Sequence, residues 1–111
     1  MSMKRSRVEY CCDMRGMLSF LILWLLTKKP MNGSEIANEL QKRRGIRPNP
    51  GTIYPAIKQL ESRNLITSEK RGRMKIYHIT DRGKAGFEVA CDFFCNCFRD
   101  IFTERTPRRS K

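Results

Sequence analysis

The stretch from Asn49 to Leu65, Asn-Pro-Gly-Thr-Ile-Tyr-Pro-Ala-Ile-Lys-Gln-Leu-Glu-Ser-Arg-Asn-Leu, constrains the fold more than any other. Ile53, Ala56, Ile57 and Leu60 recur at i, i+3, i+4 and i+7, which places them on one face of a helix. Asn49 suits the cap, and Pro50 suits the first helical position, where no N–H partner is needed. Pro55 also lacks an N–H, so it sits in or just after the opening turn, or bends the helix. Asn64 tolerates the left-handed conformation that ends many helices. The exposed side then carries Thr52, Tyr54, Lys58 and, further on, Arg63. A helix with an apolar back and a front of hydroxyls and cations fits a DNA major groove. Asn49, Thr52, Tyr54 and Lys58 are the contact residues expected here.

The elements around it support that placement. Met14 to about Lys28 reads as a helix apolar on most sides, which buries most of them and offers one flank to another subunit. Lys28 and Lys29 complement the helix dipole, and Pro30 stops the helix. Asn32 with Glu35 three residues on has capping-box spacing and opens a second helix, whose Ile36, Ala37 and Leu40 point inward. The breakers from Gly45 to Pro48 then lead into the central helix. Helix, turn, helix is a DNA-binding arrangement with the second helix as reader. Leu65 to Lys70 and Lys75 to Thr80 are short β-branched segments joined by Arg71-Gly72-Arg73-Met74, a hairpin loop. Its cations Arg71, Arg73 and Lys75 make it a wing that can straddle a phosphate backbone.

Thr80 can cap a last helix from Asp81 to about Phe102. Phe87, Cys91, Phe94, Phe98 and Ile101 keep a nearly seven-residue repeat there, which is economical as a seam between two copies. Leu21 and Trp24 of the first helix join the expected interface. Trp24 could also line a cavity for a flat aromatic effector, although plain packing explains it as well. The predicted organisation is a basic arm (1–12), a winged helix-turn-helix (13–80), a dimerisation helix (81–102) and a basic, disordered tail (103–111). The fold class is mainly α with a small β-hairpin.

Charge narrows the partner. Lysine and arginine number 23 against 11 acidic residues, a net +12. Self-repulsion of that size opposes compaction unless a polyanion neutralises it, and double-stranded DNA is the leading candidate. The arm residues Lys4, Arg5 and Arg7 could reach a DNA backbone or minor groove as homeodomain arms do. The longest apolar run, Leu18 to Leu26, is far below the ~20 residues of a membrane span, and no cleavage site follows it. No membrane association is expected, and the expected location is the cytoplasm. The five cysteines are an odd number, so they cannot all pair within the chain, in keeping with a reducing compartment.

The block Pro50-Gly51-Thr52-Ile53-Tyr54-Pro55-Ala56-Ile57, with Leu60-Glu61 behind it, resembles the reading-helix signature of PadR-like winged-helix transcriptional regulators. Met31-Asn32-Gly33 with Glu35-Ile36 resembles the start of that family's second helix. Arg71-Gly72-Arg73 with Lys75-Ile76-Tyr77, and Ile79-Thr80-Asp81-Arg82-Gly83, resemble its wing and the entry to its last helix. The likeness covers roughly residues 15 to 86. It implies a homodimer joined through the first and last helices, binding a pseudo-palindromic operator and repressing. It leaves any small-molecule effector unidentified. Ser34 stands where an aromatic is usual, which removes a contact at the second helix. Met74 stands where proline is usual, which makes for a less rigid wing. A single C-terminal helix matches the family's smaller members.

Other functions compete on particular residues. Cys11, Cys12, Cys91 and Cys95 could converge as a metal site or a switchable disulfide, giving a redox- or metal-responsive regulator. No paired Cys-x-x-Cys is present and His78 is the only histidine, so the plain expectation is no metal and no cofactor, with free thiols packed as small hydrophobes. A non-specific nucleic-acid-binding module and a protein-interaction scaffold remain as alternatives of other classes. Catalysis has no nucleophile–base pair, no phosphate loop and no paired carboxylates behind it.

Overall fold

A computed structural model describes residues 15–105. The basic arm, Cys11, Cys12, Met14 and the last six residues lie outside them. In order come α1 (Arg15–Lys28), β1 (Met31–Asn32), α2 (Gly33–Arg44), α3 (Pro50–Ser62), β2 (Ile66–Arg71), β3 (Met74–Ile79) and α4 (Asp81–Arg105). The fold is mainly helical with a small antiparallel sheet, the winged helix-turn-helix expected.

Helix α1 runs through the middle of the molecule. Leu18, Ile22, Leu23, Leu25 and Leu26 are all buried, which needs partners on several sides. They come from Ile36, Ala37 and Leu40 of α2, Ile53, Ile57 and Leu60 of α3, Ile66 and Tyr77 of the sheet, and Phe87 of α4. The inward stripes of α2 and α3 are those their spacing predicted.

The caps are as the sequence implied. The Asn32 side chain accepts from the Glu35 N–H at 2.8 Å while Glu35 accepts from the Asn32 N–H at 2.9 Å, a complete capping box. Asn49 accepts from Gly51 N–H at 2.7 Å to start α3. Asn64 adopts φ +63° just beyond the end of that helix. The Thr80 hydroxyl oxygen accepts from the Gly83 N–H at 2.9 Å, starting α4, and its proton faces the carbonyls of Asn64 and Leu65. One side chain therefore ties the chain just beyond α3 to the start of the last helix.

The sheet differs from expectation in two ways. It has three strands in the order β1-β3-β2, because Met31 and Asn32 pair with Tyr77 and Ile76. Two residues carry no period, so this edge had no signature. The expected four-residue wing loop is also tighter: Arg71 pairs with Met74, leaving Gly72 and Arg73 as the turn, with Gly72 at φ +62°. A left-handed first turn residue suits the twist of a two-residue hairpin. Met74 accepts from the Asn32 side-chain amide at 3.2 Å through its sulfur, tying the base of the turn to β1. Helix α4 runs on to Arg105, beyond the expected end at Phe102.

Candidate nucleic-acid interface

Helix α3 buries Ile53, Ile57 and Leu60, so its opposite side is set by the ~100° turned per residue. Gly51, Pro55, Lys58, Gln59 and Ser62 point outward, and all are exposed. Thr52 and Tyr54, two positions apart, fall on opposite edges of that front rather than together, roughly 160° from each other. Both are exposed, Tyr54 at 47%. Tyr54 thus shares its edge with Lys58, and Thr52 flanks the other with Arg63. Pro55 lies inside the helix on the outward side. It has no N–H to give the Gly51 carbonyl. Gln59, whose amide can donate and accept together toward a base edge, had no place in the sequence reading.

Tyr54 is held by something the sequence did not disclose. A Cβ added to Gly33 would lie 2.4 Å from the Tyr54 hydroxyl oxygen and 2.8 Å from its ring carbons. The ring thus occupies the space that any side chain at position 33 would need, and the start of α2 sets its direction. Asn49 is exposed, with its carboxamide oxygen spent on the cap and its amide still free to donate.

On the wing, side chains alternate between faces. Ile66, Ser68 and Tyr77 face the body, and Ser68 donates to Glu61 of α3 at 2.8 Å. Lys70 and Lys75 continue that same face and stand directly opposite each other. Like charges in that register destabilise a hairpin by a few tenths of a kcal/mol or more, a cost a bound anion removes. The other face carries Glu69, which accepts from Arg71 Nε at 2.9 Å and meets His78 Nε2 at 2.8 Å. The Arg71 guanidinium, and then His78, hold the Glu69 carboxyl below the ordinary glutamate range. Arg71 is therefore partly neutralised, while Arg73 sits on the turn itself.

Helix α3 and the wing meet in an open cleft of about 320 Å³ bordered by Ser34, Tyr54, Arg73 and Lys75, with Gly33 and Tyr77 also lining it. Burial raises the Tyr77 phenol above its usual value, assisted by Glu61 and Tyr54, so it stays neutral. Ser34, itself exposed, stands at the edge of this cleft. Lys58 does not line it.

The residues expected at a dimer seam are divided. Phe87 is buried in the monomer's own core, stacked on Phe20 at 5.1 Å, which takes it off the open face. Cys91 and Phe94 are half-buried, and Phe94 meets Phe20 edge-on at 4.8 Å. Phe98 and Ile101 are exposed at 36% and 52%, and Phe93 and Phe102 at 60%. Leu21 and Trp24 border a shallow apolar groove between α1 and α4 with Phe20, Phe87 and Cys91. Lys28 Nζ lies 4.3 Å and the Arg43 guanidinium 4.4 Å from the Trp24 ring centre, two cation–π contacts on one ring. Burial, and secondarily Glu88, push the Cys91 thiol up. Cys95 and Cys97 are exposed. Among the described residues no group of three histidine, cysteine or acidic side chains could hold a metal ion. Also among them, no helix is long and apolar enough to cross a membrane.

Comparison with known proteins agrees with this geometry. The family described as "Transcriptional regulator PadR-like family" matches residues 22–89. The chain is 35% identical over 75 residues to "Transcriptional regulator Rv3488" of Mycobacterium tuberculosis, covering 64% of this chain and 69% of that one. A PadR family transcription regulator from Clostridium difficile superposes with a TM-score of 0.66 at 30% identity, over 77% of this chain and 97% of its own. A transcriptional regulator from Clostridium thermocellum shares the fold, with a TM-score of 0.74 at 23% identity over 81% and 94% of the two chains. These relatives are regulators rather than enzymes. The chain belongs to the PadR-like family of transcriptional regulators.

Proposed function

We propose that this protein is a sequence-specific, double-stranded DNA-binding repressor that acts as a homodimer on a pseudo-palindromic operator. The observation that carries the reading is the outward front of α3 flanked by a wing whose Lys70 and Lys75 stand directly opposite each other, neither of them in a salt bridge among the described residues. Lys58 and Gln59 enter the major groove, with Thr52, Asn49 and Arg63 at its walls and the Tyr54 hydroxyl on the flanking backbone. Arg73, Lys75 and Lys70 engage the flanking backbone, and Arg71 joins them when Glu69 releases it. Phosphate contacts orient the protein, and α3 supplies base discrimination.

The dimer rests on α4. Its 25 residues span about 37 Å, and beyond Phe94 it carries the exposed apolar side chains of Phe98, Ile101 and Phe102. Phe98, Ile101 and Phe102 lie on one side, where a second copy related by a two-fold axis would cover them. Two reading helices held about 34–36 Å apart would then meet successive turns of one DNA face.

Selecting bound fragments from the source genome and footprinting them tests this reading. Two protected half-sites one helical turn apart, bound by a particle of twice the chain mass, is the expected result. Equal affinity for selected and random duplexes would overturn sequence specificity, and a single protected half-site bound by a monomer would overturn the dimer.

A further inference from the structure

We propose that one strand of the DNA backbone is seated in a trough crossing the start of α2, gripped by Arg47 at one end and by Arg73 and Lys75 at the other. This rests on the DNA-binding reading above and adds a contact that α3 and the wing do not supply.

Two clefts make the trough. One opens between Ser34, Tyr54 and the wing cations Arg73 and Lys75. The second opens between the same Ser34 and Tyr54 and the loop before α3, where Arg47 and Pro48 border it. Gly33, Ser34 and Tyr54 border both, so the two clefts adjoin where the Tyr54 ring lies against Gly33. The result is a channel with cations at its two ends and the hydroxyls of Ser34 and Tyr54 between them. Among the described residues no carboxylate lines either cleft.

That last point separates Arg47 from its basic neighbours. Lys42 lies on a different cleft, bordered by Glu39, and donates to that carboxylate at 3.1 Å. Arg71 is likewise spent on Glu69. Arg47 instead donates from Nη1 to the neutral Asn38 side-chain oxygen, which steadies the guanidinium without cancelling its charge. Its remaining N–H groups keep the geometry for a phosphate. An unneutralised cation at each end and neutral donors between them suit a continuous run of phosphodiesters.

The test compares Arg47→Ala, Arg73→Ala and Lys42→Ala in the whole chain, on the selected DNA fragment and on random duplex, at several salt concentrations. Arg47→Ala should lower affinity for both sequences by the same factor. Like Arg73→Ala, it should reduce the slope of log affinity against log salt by about one unit, the share of a single phosphate contact. Lys42→Ala should leave the slope near that of the parent. A neutral methylphosphonate at the phosphate touched should abolish the difference between Arg47→Ala and the parent. Arg47→Gln, which keeps a donor for Asn38, guards against a misfolded alanine variant and should show the same loss of slope. An Arg47 variant with the parent's slope, beside an Arg73→Ala that loses its own, overturns the trough and leaves the DNA reading standing. Equal losses from Lys42→Ala and Arg47→Ala overturn it as a mere effect of net charge. Parent protein with no salt-dependent binding overturns the DNA reading itself.

Discussion

Replacing Gly33 with alanine tests whether the reading surface is aimed by the start of α2. The new Cβ would stand 2.4 Å from the Tyr54 hydroxyl oxygen, and ordinary contact begins near 3.4 Å, so the ring must withdraw by at least 1.0 Å. The obstacle is the outer end of an exposed side chain, which can swing into solvent, so the fold survives. Gly33 is not in the left-handed region, and a helical Gly→Ala change gains up to ~1 kcal/mol, so stability should stay within about 1 kcal/mol of the parent. DNA binding should suffer more. If the Tyr54 hydroxyl donates to a phosphate, a hydrogen bond of ~1.5–3 kcal/mol is at stake, or about 10- to 100-fold in affinity. Fluorescence anisotropy on the selected fragment, alongside thermal melting, reads both quantities. Tyr54→Ala sets the ceiling, and adding Gly33→Ala to it should cost nothing further, because the colliding ring has gone. Wild-type affinity for Gly33→Ala, or losses that add in the double variant, would refute the claim that Gly33 positions Tyr54.

Three other outcomes follow from named contacts. Ile101→Asp, at an exposed position on α4, should convert the dimer to monomer in sedimentation while leaving the melting temperature of the folded unit nearly unchanged; a variant that stays dimeric would displace the seam. Phe94→Asp is the poorer probe, because Phe94 also packs on Phe20 within the chain. Gly83→Ala would drive a Cβ to 2.0 Å from the Leu65 carbonyl oxygen, a backbone atom that cannot step aside, so a loss of about 1–3 kcal/mol in chemical denaturation is expected. Glu69 is held below its ordinary 4.5 by Arg71 and then His78, so its ionised form is favoured by folding. Its small contribution to stability is present above the ordinary value and lost as pH falls through the lowered one. A carbon-13 titration should place its midpoint below that of free glutamate, and a midpoint at or above it would contradict the cluster.

The central helix was legible because several local signals agree on it: Asn49 and Pro50 at its start, the apolar period within, and Asn64 beyond its end. The capping box at Asn32 and Glu35 and the Thr80 cap were legible for the same reason, since partners three residues apart meet wherever the chain turns. Contacts between distant segments left no such trace. Nothing in the sequence says that Gly33 lies beneath Tyr54, or that Arg47 borders the same opening as Ser34. Arg47 reads simply as one more cation among loop breakers. The β1 edge, two residues long, is shorter than any period. The Phe87-to-Ile101 repeat marks an apolar stripe but cannot say whose surface covers each member, and Phe87 is covered by Phe20 of its own chain. Thr52 and Tyr54 could have been separated by counting 100° per residue, which would also have brought Gln59 forward.

The most direct measurement is the affinity of the intact protein for its selected genomic duplex as salt is raised. Several phosphate contacts along α3 and the wing should make log affinity fall linearly with log salt, with a slope of about −0.9 for each phosphate neutralised. The same titration on random duplex should run nearly parallel at much weaker affinity, the offset being the base readout of α3. Affinity indifferent to salt, or an absence of duplex binding at low salt, would contradict the account.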